Sequence, residues 1–148
     1  SAYEVVRARY DDAEEPPVVV YGASLGGPVA AQLALDKPVK AVVIEASFPS
    51  LVELGRHLYP WLPVRLMARY RFDAAAKVAR LNAPKLFASS RDDQLVPFEL
   101  GYQLYEAAAE PKQFVEIRGP HDEGAWTHNP AFASALHHLL DRAFGPLQ

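Results

Sequence analysis

The sequence has no cysteine. That absence excludes a disulfide framework, a thiolate nucleophile and a cysteine-ligated metal, and it makes a reducing, cytoplasmic setting the default expectation. No stretch approaches the roughly 20 apolar residues that a membrane span requires. Positive charge is not in surplus either: 15 lysines and arginines face 18 aspartates and glutamates, for a formal net charge of −3. Such a balance gives no broad basic surface for nucleic acid. Residues 1–10, SAYEVVRARY, carry charges throughout and do not read as a signal peptide. Repeats and low-complexity segments are also missing. What is present is a chain of 148 residues, 50% hydrophobic and 22% charged. That is enough for one domain, residues 1–148, with a real core.

Residues 3–10 read as the end of a helix, with Tyr3, Val6 and Tyr10 on one face, followed by a polar turn, DDAEEPP. Val18–Tyr21 is β-branched and apolar on both faces, the pattern of a strand inside a parallel sheet. Val39–Ile44 and Lys85–Ser89 repeat that pattern, and Gln113–Ile117 alternates more, as an outer strand should. Helical spacing fills the gaps at Gly26–Leu35, Phe98–Ala109 and Pro130–Phe144. Alternating strands and helices predict an α/β fold: a parallel sheet of about four strands flanked by helices, with right-handed crossovers. Residues 47–80 break the rhythm. They hold prolines at 49, 60 and 63 and many large apolar side chains, and they read as a short helical cap over the carboxyl ends of the strands.

The first strand ends in Gly22-Ala23-Ser24-Leu25-Gly26 and turns at once into a helix. A serine there, between small neighbours, is expected in a strained conformation that lifts its hydroxyl clear of the sheet. Gly22 and Gly26 are both expected where a side chain would collide with the adjoining strand or helix. The N–H of Leu25, at the positive end of the helix, can donate to a developing oxyanion. A serine nucleophile needs a base, and the base needs an orienting carboxylate. The third strand ends in Ser89-Ser90-Arg91-Asp92-Asp93, and the fourth in Arg118-Gly119-Pro120-His121-Asp122. The order Ser…Asp…His along such a sheet suits a triad of Ser24, His121 and either Asp92 or Asp93. His128 is the rival base. His57 lies in the insertion, and His137 and His138 lack the i, i+4 pairing that zinc wants. No metal or other cofactor is expected.

Four segments, VVVYGASLGG, VIEASFPSL, DQLVPFELGYQLYEAA and EIRGPHD, resemble the α/β-hydrolases. The likeness is to small serine hydrolases related to monoglyceride lipases and serine aminopeptidase-like esterases. It covers nearly all of the chain from residue 18 onward. It implies the C-terminal part of an α/β-hydrolase fold and a serine hydrolase acting on an ester or related acyl bond. Through the family's Asp-x-x-Val-Pro pattern it also implies Asp93 rather than Asp92 as the triad acid. The family's Gly-x-Gly-His turn appears here as Gly119-Pro120-His121, one residue shorter and with a proline. The resemblance further suggests that parts of the cap, with Trp61 and Met67 as candidates, line an acyl pocket.

Resembling enzymes carry strands before the nucleophile strand, and a His-Gly-type loop there supplies a second oxyanion donor. Neither precedes Val18 in this sequence. The Val18–Tyr21 strand is therefore expected to expose an apolar edge, covered by a missing N-terminal segment or by a second copy in a homo-oligomer. Two functions follow as expectations. One is a serine hydrolase that takes a small-molecule acyl substrate. The other is a truncated, non-catalytic domain of the same fold that binds or assembles through that edge.

Overall fold

The computed structural model describes residues 2–9, 18–61, 63, 72–125 and 129–145. In chain order these form α1 (Ala2–Ala8), β1 (Val19–Ala23), α2 (Gly26–Asp36), β2 (Ala41–Glu45), α3 (Leu51–Leu58), α4 (Ala74–Val78), β3 (Lys85–Ser90), α5 (Phe98–Ala107), β4 (Lys112–Ile117) and α6 (Pro130–Phe144). The strands make one parallel sheet in the order β1-β2-β3-β4.

Parallel strands need crossover helices, which bury both faces of the sheet. Every residue of β2 and β3 is buried, as their near-continuous apolar runs predict. Strand periodicity sorts the side chains. Val20, Val42, Ile44 and Phe87 meet α2, α4 and α5 through Ala30, Ala31, Ala74, Val78 and Leu104. Val19, Tyr21, Val43, Leu86 and Ala88 meet α6 through Phe132, Ala135 and Leu139 on the other face. The small residues of α2 let it approach the sheet closely. At the amino end of the sheet Lys85 is only 1% exposed. Its Nζ donates to the carbonyls of Ala109 at 2.7 Å and Pro111 at 3.4 Å, just beyond the end of α5.

The stretch between β2 and β3 leaves and returns at one point, because the N–H groups of Ala74 and Ala75 both donate to the Pro49 carbonyl. Ser50 caps α3, accepting from the Glu53 N–H at 3.2 Å, and Asp73 caps α4, accepting from the Ala76 N–H at 3.0 Å. Leu54 of α3 packs with Phe48, Val96 and Leu100, a separate cluster at the carboxyl ends of the strands. Of the described part of residues 47–80, α3 lies at the carboxyl ends of the strands, whereas α4 packs on the face of the sheet beside α2 and α5, which corrects the expectation that the whole stretch forms a cap. Residues 62 and 64–71, Met67 included, lie outside the described residues.

Other differences from expectation lie at element ends. Val39 and Lys40 fall just before β2, although the Lys40 N–H already donates to the Val18 carbonyl at 2.8 Å. Helix α5 stops at Ala107 because Ala108 turns to an extended conformation, ψ 142°.

Candidate active site

Ser24 follows the last residue of β1 with φ at +52°, in the left-handed region that a non-glycine residue enters only under constraint. Three hydrogen bonds impose it. The Ser24 N–H donates to the Glu45 carbonyl at 2.8 Å, and the Ser24 carbonyl accepts from the Gly27 N–H at 3.0 Å and from Ser47 Oγ at 2.9 Å. Ala46, at the end of the neighbouring strand, has φ at +45°. That turn brings Ser47 back toward the serine. Leu25 is the N-cap residue of α2, so its N–H belongs to the positive end of that helix.

Of the two glycines expected to be hemmed in, only Gly22 is. A Cβ there would lie 2.3 Å from the Gly26 carbonyl oxygen and 2.7 Å from Ala30 Cβ. The expectation for Gly26 is corrected: a Cβ there meets nothing within 4 Å. The second crowded position is Gly27, where a Cβ would lie 2.3 Å from Ser47 Oγ.

The loops after β3 and β4 come together over the same sheet end. The Asp93 side chain is 1% exposed. Its Oδ1 accepts from the N–H groups of Leu95 and Val96, both at 2.8 Å, and its Oδ2 lies 2.7 Å from His121 Nδ1. That contact leaves Nε2 as the nitrogen available to a nucleophile. Asp92 does something else: it is half exposed, accepts from the Gly119 N–H at 3.2 Å and pairs with Arg118 at 3.4 Å. Among the described residues no hydrogen bond joins Ser24 Oγ to His121. Catalytic contacts of this kind are often long before substrate binds.

Further residues hold the His121 loop that the sequence did not single out. Ser90 Oγ donates to the Gly119 carbonyl at 2.6 Å. Asn129, buried, brackets Arg118, accepting from its N–H at 2.7 Å and donating to its carbonyl at 2.9 Å. An Asn before a proline reads as a turn signal, so its role was hidden. Glu45, also buried at the end of β2, is held above the usual carboxylate range, chiefly by burial, with an Ala125 N–H bond and His121 opposing and Asp93 adding.

A cleft of about 450 Å³ beside Asp93 is lined by His57, Arg91, Gln94, Pro97, Phe98 and Glu99. Trp61 is 78% exposed, with its ring edge-on to Tyr59 at 6.4 Å. The rival base, His128, lies outside the described residues. Among the described residues there is no group of three or more potential ligands able to hold a metal ion, and no helix long and apolar enough to cross a membrane.

No family model matches the chain. An uncharacterized protein of Mycobacterium tuberculosis is 37% identical over 108 residues, covering 73% of this chain and 38% of that one. An α/β-hydrolase domain-containing protein of Arabidopsis thaliana, WAV2, is 30% identical over 124 residues, covering 72% of this chain and 40% of that one. The chain thus spans about two-fifths of the length of these curated relatives. Among solved structures, the esterase domain of a Rhodothermus marinus protein superposes with a TM-score of 0.68 at 24% identity, covering 95% of this chain and 65% of that one. With four parallel strands, flanking helices and a serine turn at the carboxyl end of β1, the chain belongs to the α/β-hydrolase superfamily.

Proposed function

We propose that the chain is, or is the core of, a serine hydrolase that cleaves a carboxylic ester or a related acyl bond through an acyl-enzyme. The observation that supports this most is the 2.7 Å contact between Asp93 and His121, over the sheet end where Ser24 sits at φ +52°. In this mechanism His121 Nε2 takes the Ser24 hydroxyl proton as Oγ attacks the acyl carbon. Asp93 fixes the ring and stabilises the imidazolium. The Leu25 N–H donates to the oxyanion. The imidazolium then protonates the leaving alcohol, and the acyl group stays on Ser24. A water, deprotonated by His121, attacks the acyl-enzyme, and the imidazolium returns that proton to Ser24 Oγ as the acyl–Oγ bond breaks and the acid leaves. Of the cap residues, Trp61 and Met67 are proposed to contact the acyl group.

The experiment is hydrolysis of p-nitrophenyl esters. A burst of nitrophenol stoichiometric with protein, lost in Ser24→Ala, is the expected result. Folded protein that releases nitrophenol equally with and without the serine contradicts it.

A second function is favoured by one observation: among the described residues no strand pairs with the outer edge of β1. An unpaired apolar edge invites another strand, from a preceding segment or from a second copy. A domain used for assembly would hold its fold through that pairing without catalysing. Light scattering after size exclusion tests the pairing between copies. An associated species is expected from it, and a stable monomer at micromolar concentration contradicts it.

A further inference from the structure

Asp93 and His121 stand on different loops, and the 2.7 Å contact between them requires those loops to be held at one separation. Ser90 joins the two. It ends β3, in register with Ile117 at the end of β4, and is only 4% exposed. Its Oγ accepts from the Asp92 N–H at 3.0 Å, within the acid's loop. The same Oγ donates its one proton across to the Gly119 carbonyl at 2.6 Å, two residues before His121. The Ser90 carbonyl accepts from the Asp93 N–H at 3.4 Å. Gly119, with φ at +110°, turns its N–H to the acid's loop as well, where Asp92 Oδ2 accepts it at 3.2 Å.

The other links differ in place or in strength. Asp92 is half exposed, so water competes for its bonds to Gly119 and Arg118. Arg91 pairs with Glu116 at 3.1 Å, an exposed contact with β4 rather than with the base's loop. Asn129 ties Arg118 to the start of α6. Ser90 makes its bonds in the interior, where a lost partner leaves a carbonyl and an amide unsatisfied.

We propose that Ser90 is a positioning residue for the Asp93–His121 pair: its buried hydroxyl fixes the spacing of the two loops at which the carboxylate meets Nδ1. Its part in catalysis rests on that pair being the acid and base of the proposed triad; its part in the geometry does not. An imidazole that drifts from the acid loses the tautomer that presents a bare Nε2 to Ser24. A serine that merely satisfied buried groups would cost stability when replaced and leave the imidazole as it was.

The test reads the His121 tautomer by long-range proton–nitrogen NMR of the histidine rings, at alkaline pH where they are neutral. The His121 signals are assigned by their loss in His121→Gln. In the wild-type chain the Nδ1–H form is expected to dominate. A wild-type chain dominated by the Nε2–H form removes the Asp93–His121 bond, and the proposal with it. Ser90→Ala should raise the Nε2–H share about tenfold, the response to losing one hydrogen bond of ordinary strength. A folded Ser90→Ala chain with the wild-type tautomer overturns the proposal. Should that variant not fold, amide exchange of the wild-type chain decides. The Asp92 N–H must then be as well protected as the Leu95 and Val96 N–H groups that bind Asp93, and rapid exchange at Asp92 overturns the clamp. A chain that shows the tautomer shift but hydrolyses no ester would sink the proposed function and leave the Ser90 role intact.

Discussion

A Cβ built on Gly27 would lie 2.3 Å from Ser47 Oγ and 2.7 Å from Ser47 Cβ, and that Oγ donates to the Ser24 carbonyl at 2.9 Å. The start of α2, the end of β2 and the serine turn are thus packed as one unit. A methyl group at residue 27 must push Ser47 away and release the turn. Gly27→Ala is expected to destabilise the fold by about 1–3 kcal/mol, the usual cost of overpacking. Adding Ser47→Gly should recover part of that loss. Gly26→Ala, at the first residue of the same helix and facing open space, should be neutral or stabilising by up to about 1 kcal/mol. Urea denaturation of the three variants reads all of this. Equal losses at residues 26 and 27 would refute the packing described.

Asp93 and Asp92 are adjacent in sequence and differ in what they touch. Asp93→Asn leaves the shape of the loop but removes the charge that, in the proposed mechanism, orients and stabilises His121, and the proposed ester hydrolysis should slow about 10³–10⁴-fold. Asp92→Asn weakens an exposed pair with Arg118, worth at most about 1 kcal/mol, and should change the rate less than about 10-fold. Comparable losses from the two would remove Asp93 from its role.

Lys85 supplies a prediction about pH. Burial lowers its pKa from 10.5 to about 8, with Glu110 opposing and Lys112 adding to the shift. Between those two values the unfolded chain binds a proton that the folded chain does not, so the contribution of Lys85 to stability rises as pH climbs through that window. Below it the folded chain carries the full penalty of a buried ammonium. Lys85→Met removes the titration. Relative to wild type, the variant should be at its most stable near neutral pH and lose ground steadily toward pH 10.5. A stability difference that stays flat across that range would contradict the shift.

Most of the fold was legible because its signals are local. Short apolar runs near glycine and proline marked the four strands, and the burial of β2 and β3 on both faces followed from their composition. The serine turn was legible from its small residues, and the meeting of Asp93 and His121 from their places at successive strand ends. What stayed hidden depends on neighbours far away in the chain. Two glycines flanked Ser24, yet which later glycine was crowded turned on Ser47, 20 residues beyond Gly27. Glu45 reads in sequence as a polar strand end. Only the fold shows that it is buried. Asn129 clamps Arg118 across 11 residues, a contact that no spacing rule announces.

Whether the turn at Ser24 and the Asp93–His121 pair make an activated nucleophile is measured directly by a fluorophosphonate probe. One adduct is expected on the 148-residue chain, mapped to Ser24 by mass spectrometry, lost in Ser24→Ala and slowed strongly in His121→Gln. A chain that is folded by circular dichroism yet stays unlabelled, or is labelled elsewhere, would contradict it.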